Sequence, residues 1–348
     1  MKDYIELNNK YDLKRINAEN DYIKGLQESE SYPLYYSYPI TLQFELTGDC
    51  NLNCAHCYNR SGDSDVVRGT KMGPDDWERL ARDIVNDGGI FQCILSGGEP
   101  LLLGKHLFDI MDILHDDGTS FIIITNGLLL TDRVVHQLSK YRFFWLQVSI
   151  DGATPEYHDK FRGVKGSWEK AVKGALEVSN QGIPLTIAHT VTPENLSDLE
   201  DMVELSCKLG AGTIILGEVL PSGRAITNEN VILDYDQRNI MHEKIAALTK
   251  QYQDRIRIER SLSLSAAMQR YISTPNGGGI IRPNGDFRLD CMAPFVIGNV
   301  LEAPLKDIWI QKGINAWQDP RVTAFVASID QKEQKGSIQN HLMNDIRL

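Results

Sequence analysis

The chain has 348 residues, 42% of them hydrophobic and 24% charged, enough for a large folded core with one small appendage. Its formal net charge of −11 tilts against nucleic acid as the main partner, because phosphate backbones demand basic surfaces. No apolar run approaches a membrane span and MKDYIELNNK is no basic-then-apolar signal, so a cytoplasmic protein with no membrane partner is expected.

Residues 1–38 form a Tyr-rich lead-in with seven of the 13 tyrosines and a Ser31-Tyr32-Pro33 junction. A short helix and an extended stretch are expected there. The amphipathic rings suit docking on the rest of the protein, or contact with a ligand. Residues 39–225 alternate between strand-like and helix-like segments. The β-rich runs are Ile40–Leu46, Phe91–Leu95, Phe121–Thr125, Trp145–Ile150, Leu185–Val191 and Thr213–Leu220. Helical spacing occupies Asp75–Asn86, Lys105–His115, Arg133–Lys140, Trp168–Asn180 and Leu199–Leu209. Such alternation implies parallel pairing through βαβ crossovers, and six units fit an incomplete barrel: an α/β fold with a partial (β/α)6 parallel barrel. Ligands of such folds bind beyond the carboxyl ends of the strands. Residues 226–275 read as a helical linker, with a charged helix around Asp236–Lys250. Residues 276–312 read as a small α+β unit with a hairpin turning at Pro283-Asn284-Gly285, then a short helix at Leu305–Ile310. The tail, 313–348, is polar and weakly patterned.

Six cysteines in a chain this long do not suggest a disulfide framework. Cys50, Cys54 and Cys57 place three thiolates on one loop directly after the first strand. A [4Fe–4S] cube usually takes four cysteines, so three would leave one iron open to substrate. A structural zinc site wants four closed ligands, and His56 adjoins Cys57 too closely to chelate well. Cys93 and Cys207 read as small buried hydrophobes.

The string from Glu45 through Cys50, Cys54, His56 and Cys57 to Tyr58 resembles the signature loop of the radical S-adenosylmethionine (SAM) superfamily. Four stretches match in order after it: Ser96-Gly97-Gly98-Glu99-Pro100, Thr125-Asn126-Gly127, Val148-Ser149-Ile150-Asp151-Gly152 and His158-Asp159-Lys160-Phe161-Arg162-Gly163. Pro221-Ser222-Gly223-Arg224-Ala225 also recurs in one subgroup after the sixth strand. The resemblance implies one [4Fe–4S] cluster on Cys50, Cys54 and Cys57, with SAM chelating the fourth iron. It implies SAM contacts at Gly97, Gly98, Glu99, Pro100, Ser149 and Arg162, with Thr125, Asn126, Asp151, His56 and Tyr58 around the same site. The glycine pair suits close approach of backbone N–H groups to a ligand. Glu99 suits the SAM ammonium and the Arg162 fork its carboxylate. Asp151 is expected to brace the loop or to reach the ribose. The implied chemistry is reductive cleavage of SAM to a 5′-deoxyadenosyl radical, which abstracts hydrogen from a substrate C–H bond.

Residues 281–309 resemble the SPASM/twitch extension of enzymes that modify ribosomally made peptides, but they depart from its pattern. Asn276-Gly277-Gly278-Gly279 stands where a cysteine is expected, no Cys-x-x-Cys follows Trp309, and only Cys291 remains. A single cluster per chain is therefore expected, with Cys291 a structural remnant. The resemblance points to a precursor-peptide substrate, modified by crosslinking or epimerisation. It also points to a flavodoxin- or ferredoxin-type electron donor. The N-terminal segment is too short for a winged-helix leader-recognition domain, so a separate recognition partner is expected. The alternatives are an enzyme acting on a small molecule or cofactor precursor, and a catalytically silent iron–sulfur or SAM-binding module. His189, Thr190 and Glu218 stand near the barrel mouth without a catalytic assignment, and no catalytic residue is named.

Overall fold

Strands β1 (Thr41–Glu45), β2 (Gln92–Ser96), β3 (Ser120–Thr125), β4 (Phe143–Ser149), β5 (Leu185–Val191) and β6 (Thr213–Glu218) pair in parallel and in chain order. These six strands are the ones the sequence pattern marks. The computed structural model describes residues 37–262, 264–329 and 345–348. All of the Tyr-rich lead-in before residue 37, and residues 330–344 of the polar tail, lie outside the described residues.

Helices α1 (Ser64–Arg68) and α2 (Pro74–Asn86) link β1 to β2, and α3 (Lys105–Asp116) and α4 (Asp132–Leu138) follow β2 and β3. Next come α5 (Pro155–Arg162), α6 (Ser167–Asn180) and α7 (Leu199–Lys208). Alternation along the strands sets their two faces. Leu42, Phe44, Leu95, Leu146, Val148, Ile214 and Leu216 join one apolar core, whereas Gln43, Ile94, Gln147 and Ile215 between them are only half-buried. In α2, Trp77, Leu80, Ala81 and Ile84 recur at helical spacing and are buried. The Trp77 indole N–H donates to the Leu46 carbonyl at 3.1 Å and its ring lies 5.1 Å from Phe44, which seats α2 against the end of β1.

The region read as a helical linker contains α8 (Tyr235–Gln251), capped by Asp234 and Gln237, and also a strand, β7 (Arg257–Arg260), that pairs in parallel with β6. Helix α9 (Leu264–Ser273) leads to β8 (Gly278–Ile281), which adds to the other side of β1 in parallel. The hairpin turn at Pro283-Asn284-Gly285 then forms as expected: β9 (Asp286–Arg288) returns antiparallel to β8 and is followed by β10 (Phe295–Asn299). Helix α10 (Leu305–Ile308), a π turn at Trp309–Gly313, α11 (Ile314–Ala316) and α12 (Pro320–Ala327) follow, and β11 (Ile346–Arg347) pairs with β10. The sheet therefore runs β11-β10-β9-β8-β1-β2-β3-β4-β5-β6-β7 without a break. Residues 313–329 of the tail dock on the molecule despite their polar pattern, because Trp317, Val322, Val326 and Ile329 are buried in the shared core.

Where the C-terminal hairpin meets β1, charged side chains are buried together. Arg282 lies 3.4 Å from Glu45, and Arg288 lies 3.1 Å from Asp345 and donates to the Ala293 carbonyl at 3.0 Å. Cys291 is half-buried, close enough to Glu45 and Arg288 of this network to feel their charges. No helix among the described residues is long and apolar enough to cross a membrane.

Candidate active site

Beyond Glu45 the chain turns into the cysteine loop, held from both sides by backbone hydrogen bonds. The amides of Asn53 and Ala55 donate to the carbonyls of Arg162 and Phe161 at the end of α5, at 3.1 and 2.9 Å. The Gly62 amide donates to Gly48 at 2.9 Å and closes the loop. Cys54 is buried, and Cys50 and Cys57 are half-buried. Among the described residues, these thiols belong to no trio of metal-binding atoms lying within 4.8 Å of one another. A tetrahedral zinc site, with Zn–S about 2.3 Å, would bring its sulfurs to about 3.8 Å from one another. At least one pair of these sulfurs is therefore farther apart than a single tetrahedral zinc would set.

Two donors point at the sulfurs: Asn126 Nδ2 lies 3.9 Å from Cys50 Sγ and Arg162 Nη1 lies 3.6 Å from Cys54 Sγ. Burial pushes the Cys50 thiol up to about 11 and raises Cys54 as well, against the lowering effect of Arg162. Cationic metal is the natural counter-charge for thiolates in such a place.

At the end of β2, Glu99 is fully buried. Its Oε1 accepts from Thr125 Oγ1 at 2.7 Å and from the Leu101 amide at 3.1 Å, and its Oε2 accepts from the Asn126 amide at 2.9 Å. A carboxylate offers about four acceptor positions, so one remains on Oε2. Burial pushes the Glu99 pKa up to about 7 despite these donors. Asn126 also donates to Asn51 at 2.7 Å, fastening the end of β3 to the cysteine loop. The close approach provided by the glycine pair is made to that loop and not to open space. The Gly98 amide donates to Thr47 at 2.7 Å, and a Cβ on Gly98 would stand 1.9 Å from the Asp49 carbonyl oxygen. Pro100 opens the short 3-10 turn at Pro100–Leu103, which Glu99 caps.

Just past the end of β4, Asp151 forms a buried pair with Arg162 of α5, with Oδ2 and Nε 2.5 Å apart. Asp151 Oδ1 accepts from the Thr190 amide at 2.7 Å, so this carboxylate braces the arginine and β5 and is already engaged on both oxygens. Burial would raise its pKa, but Arg162 leads His56, His189 and His158 in holding it below the usual carboxylate range. With Nε on Asp151 and Nη1 on Cys54, the Nη2 of Arg162 has no protein partner among the described residues. The half-buried hydroxyl of Ser149 likewise has none.

His56 stacks on Phe161 with centroids 4.4 Å apart, and burial lowers its pKa to about 4, which keeps it neutral. Tyr58 packs on the core edge. His189 is buried with Nδ1 3.2 Å from the Ile150 carbonyl, and Glu218 is ion-paired with Arg238 at 2.6 Å. Cys93 is fully buried, and Cys207 is half-buried on α7, where it packs against the edge of the core. Sequence reading gave no role to Asn51, Gly223 or Arg224, although Asn51 lies inside the signature loop and Gly223 and Arg224 inside the Pro221–Ala225 motif.

The chain matches the model of the Radical SAM superfamily over residues 44–206. It is 30% identical over 292 residues to an AdoMet-dependent heme synthase of Methanosarcina barkeri, covering 78% of this chain and 82% of that protein. It is 26% identical over 309 residues to the antilisterial bacteriocin subtilosin biosynthesis protein AlbA of Bacillus subtilis, covering 87% of this chain and 66% of that one. The crystal structure of Streptococcus suis SuiB bound to precursor peptide SuiA shares the fold, with a TM-score of 0.62 at 17% identity over 87% of this chain and 69% of that chain. The chain belongs to the radical SAM superfamily, enzymes that use SAM and an iron–sulfur cluster.

Proposed function

We propose that this protein is a cytoplasmic radical SAM enzyme that carries one [4Fe–4S] cluster and acts on a ribosomally synthesised precursor peptide, forming a crosslink or epimerising a residue. The observation that carries the site assignment is the gathering of the cysteine loop, Glu99, Ser149 and Arg162 at the carboxyl ends of β1, β2 and β4 and the end of α5. Cys50, Cys54 and Cys57 would hold the cluster. The free Nη2 of Arg162 and the Ser149 hydroxyl would take the SAM carboxylate, and the last acceptor position of Glu99 would take its ammonium group. When bound, cluster and SAM together supply the 5′-deoxyadenosyl radical that abstracts hydrogen from substrate. The chain would orient the SAM carboxylate through a guanidinium that the buried Asp151 holds in place.

The peptide assignment is supported by similarity to a bacteriocin biosynthesis protein and by the fold shared with a peptide-bound enzyme. The single cluster is supported by the surroundings of Cys291, where the charged groups Asp290, Glu45 and Arg288 and no other cysteine act on its thiol. Electrons would come from a flavodoxin- or ferredoxin-type donor, and a separate protein would present the peptide leader. A second reading, a tetrapyrrole or other small-molecule substrate, is favoured by the 82% of the heme synthase that the chain spans.

The test is to offer reduced, reconstituted protein a candidate precursor peptide or a porphyrin precursor in parallel. The peptide reading expects peptide-dependent 5′-deoxyadenosine, with the peptide losing two hydrogens or incorporating deuterium from solvent. Stimulation by the porphyrin alone would overturn it in favour of the second reading.

A further inference from the structure

The Pro221–Ala225 stretch is placed against the cysteine loop although Arg224 is 170 residues from Cys54 in sequence. The Arg224 amide donates to the Cys57 carbonyl at 3.0 Å. Its guanidinium donates through Nε to the Cys54 carbonyl at 2.8 Å and through Nη1 to the Ser61 carbonyl at 3.2 Å. Asp63 holds the same Nη1 at 2.8 Å and fixes the fork. One residue therefore grips the backbone of two of the three cysteines and the far end of their loop. Every one of these contacts is to oxygen and none is to sulfur, so the thiols stay available.

Gly223 makes the approach feasible. Its φ is +57°, and an added Cβ would stand 2.2 Å from the Cys57 carbonyl oxygen and 2.4 Å from that of Tyr58. Both are backbone atoms that cannot rotate away, so the position accepts only glycine for this contact. Lysine could not replace the arginine, because one ammonium cannot reproduce the planar fork that bridges two carbonyls and a carboxylate.

We infer that Gly223 and Arg224 are positioning residues that clasp the cluster-bearing loop from the end of β6 and set the spacing of Cys54 and Cys57. The inference rests on the proposed cluster at those cysteines. Arg162, at the end of α5, fastens the same loop through Cys54 Sγ and the Asn53 amide. The loop is thus held between two elements distant in sequence. Residues that orient metal ligands commonly govern metal affinity by about ten- to a hundred-fold.

The experiment compares the full-length native chain with Arg224→Met, Arg224→Lys, Gly223→Ala and Asp63→Asn after identical anaerobic reconstitution. Iron and sulfide per chain, the rate of iron loss to a chelator, and the electron paramagnetic resonance spectrum of the reduced cluster with and without SAM are measured. Thermal unfolding of each apoprotein separates a folding defect from a loop defect. The inference expects Arg224→Met, Arg224→Lys and Gly223→Ala to lose iron about tenfold faster or more, with an altered SAM-induced spectral change. Native-like iron retention and spectra in Arg224→Met and Gly223→Ala would overturn it. Should either fail to fold, Asp63→Asn decides: faster iron loss supports the clasp and native retention removes it. A native chain that takes up no iron would instead overturn the cluster assignment itself.

Discussion

Asp151 Oδ2 and Arg162 Nε lie 2.5 Å apart, with both side chains buried at the mouth of the parallel strands. Truncating one member of such a pair leaves the other charge uncompensated, which costs about 3–5 kcal/mol. Asp151→Asn should therefore lower the unfolding temperature of the apoprotein and weaken SAM binding together. The sign with pH follows from the depressed pKa of Asp151, set by Arg162 against the effect of burial. Its contribution is fully present above the unfolded value of about 3.9 and is lost as pH falls below it. Acid unfolding curves of the native chain and Asp151→Asn should converge at low pH. A constant gap between them would contradict this.

Glu99 has the opposite sign. Burial holds its pKa at about 7, above the unfolded value of about 4.3, so the native state binds more protons between those limits. Stability from this group is present at low pH and declines as pH rises towards 7. Glu99→Gln removes the titration but sets an amide against one of three donors. Its apoprotein should be less stable at about pH 5 and show a flatter decline towards about pH 8. Melting temperatures across that range test this, and parallel slopes for the two proteins would refute it.

Gly98→Ala places a Cβ 1.9 Å from the Asp49 carbonyl oxygen, so the end of β2 and the cysteine loop must separate. The expected loss is about 1–3 kcal/mol, with reduced iron uptake. Gly212→Ala is the control, since an added Cβ there meets nothing within 4 Å.

Cys291→Ala tests the cluster count. Iron and sulfide should stay at the native level, about four per chain, because the groups acting on Cys291 are Asp290, Glu45 and Arg288 and no other cysteine. Loss of part of the iron would mean that Cys291 serves a second cluster.

The parts of the fold carried by local pattern were legible in the sequence. Strand β5 begins and ends where its apolar run does, at Leu185 and Val191. Strand β7 was not legible, because its four residues Arg-Ile-Glu-Arg offer a single apolar side chain at the sheet edge. Nor was the docking of the tail, where Trp317, Val322 and Val326 find their partners across the molecule. The candidate site divides in the same way. The cysteine spacing is local and readable. The engagement of Asp151 by Arg162 and Thr190, and of the loop by Arg224, joins residues 11, 39 and 170 positions apart, which only the folded chain brings together.

The most direct test of the central claim is the formation of 5′-deoxyadenosine from SAM by the anaerobically reconstituted, reduced protein, followed by mass spectrometry beside Cys54→Ala. 5′-Deoxyadenosine should form with the native chain, rising with its substrate, and not with the variant. A native chain loaded with about four irons that forms no 5′-deoxyadenosine with either the peptide or the porphyrin precursor would contradict it.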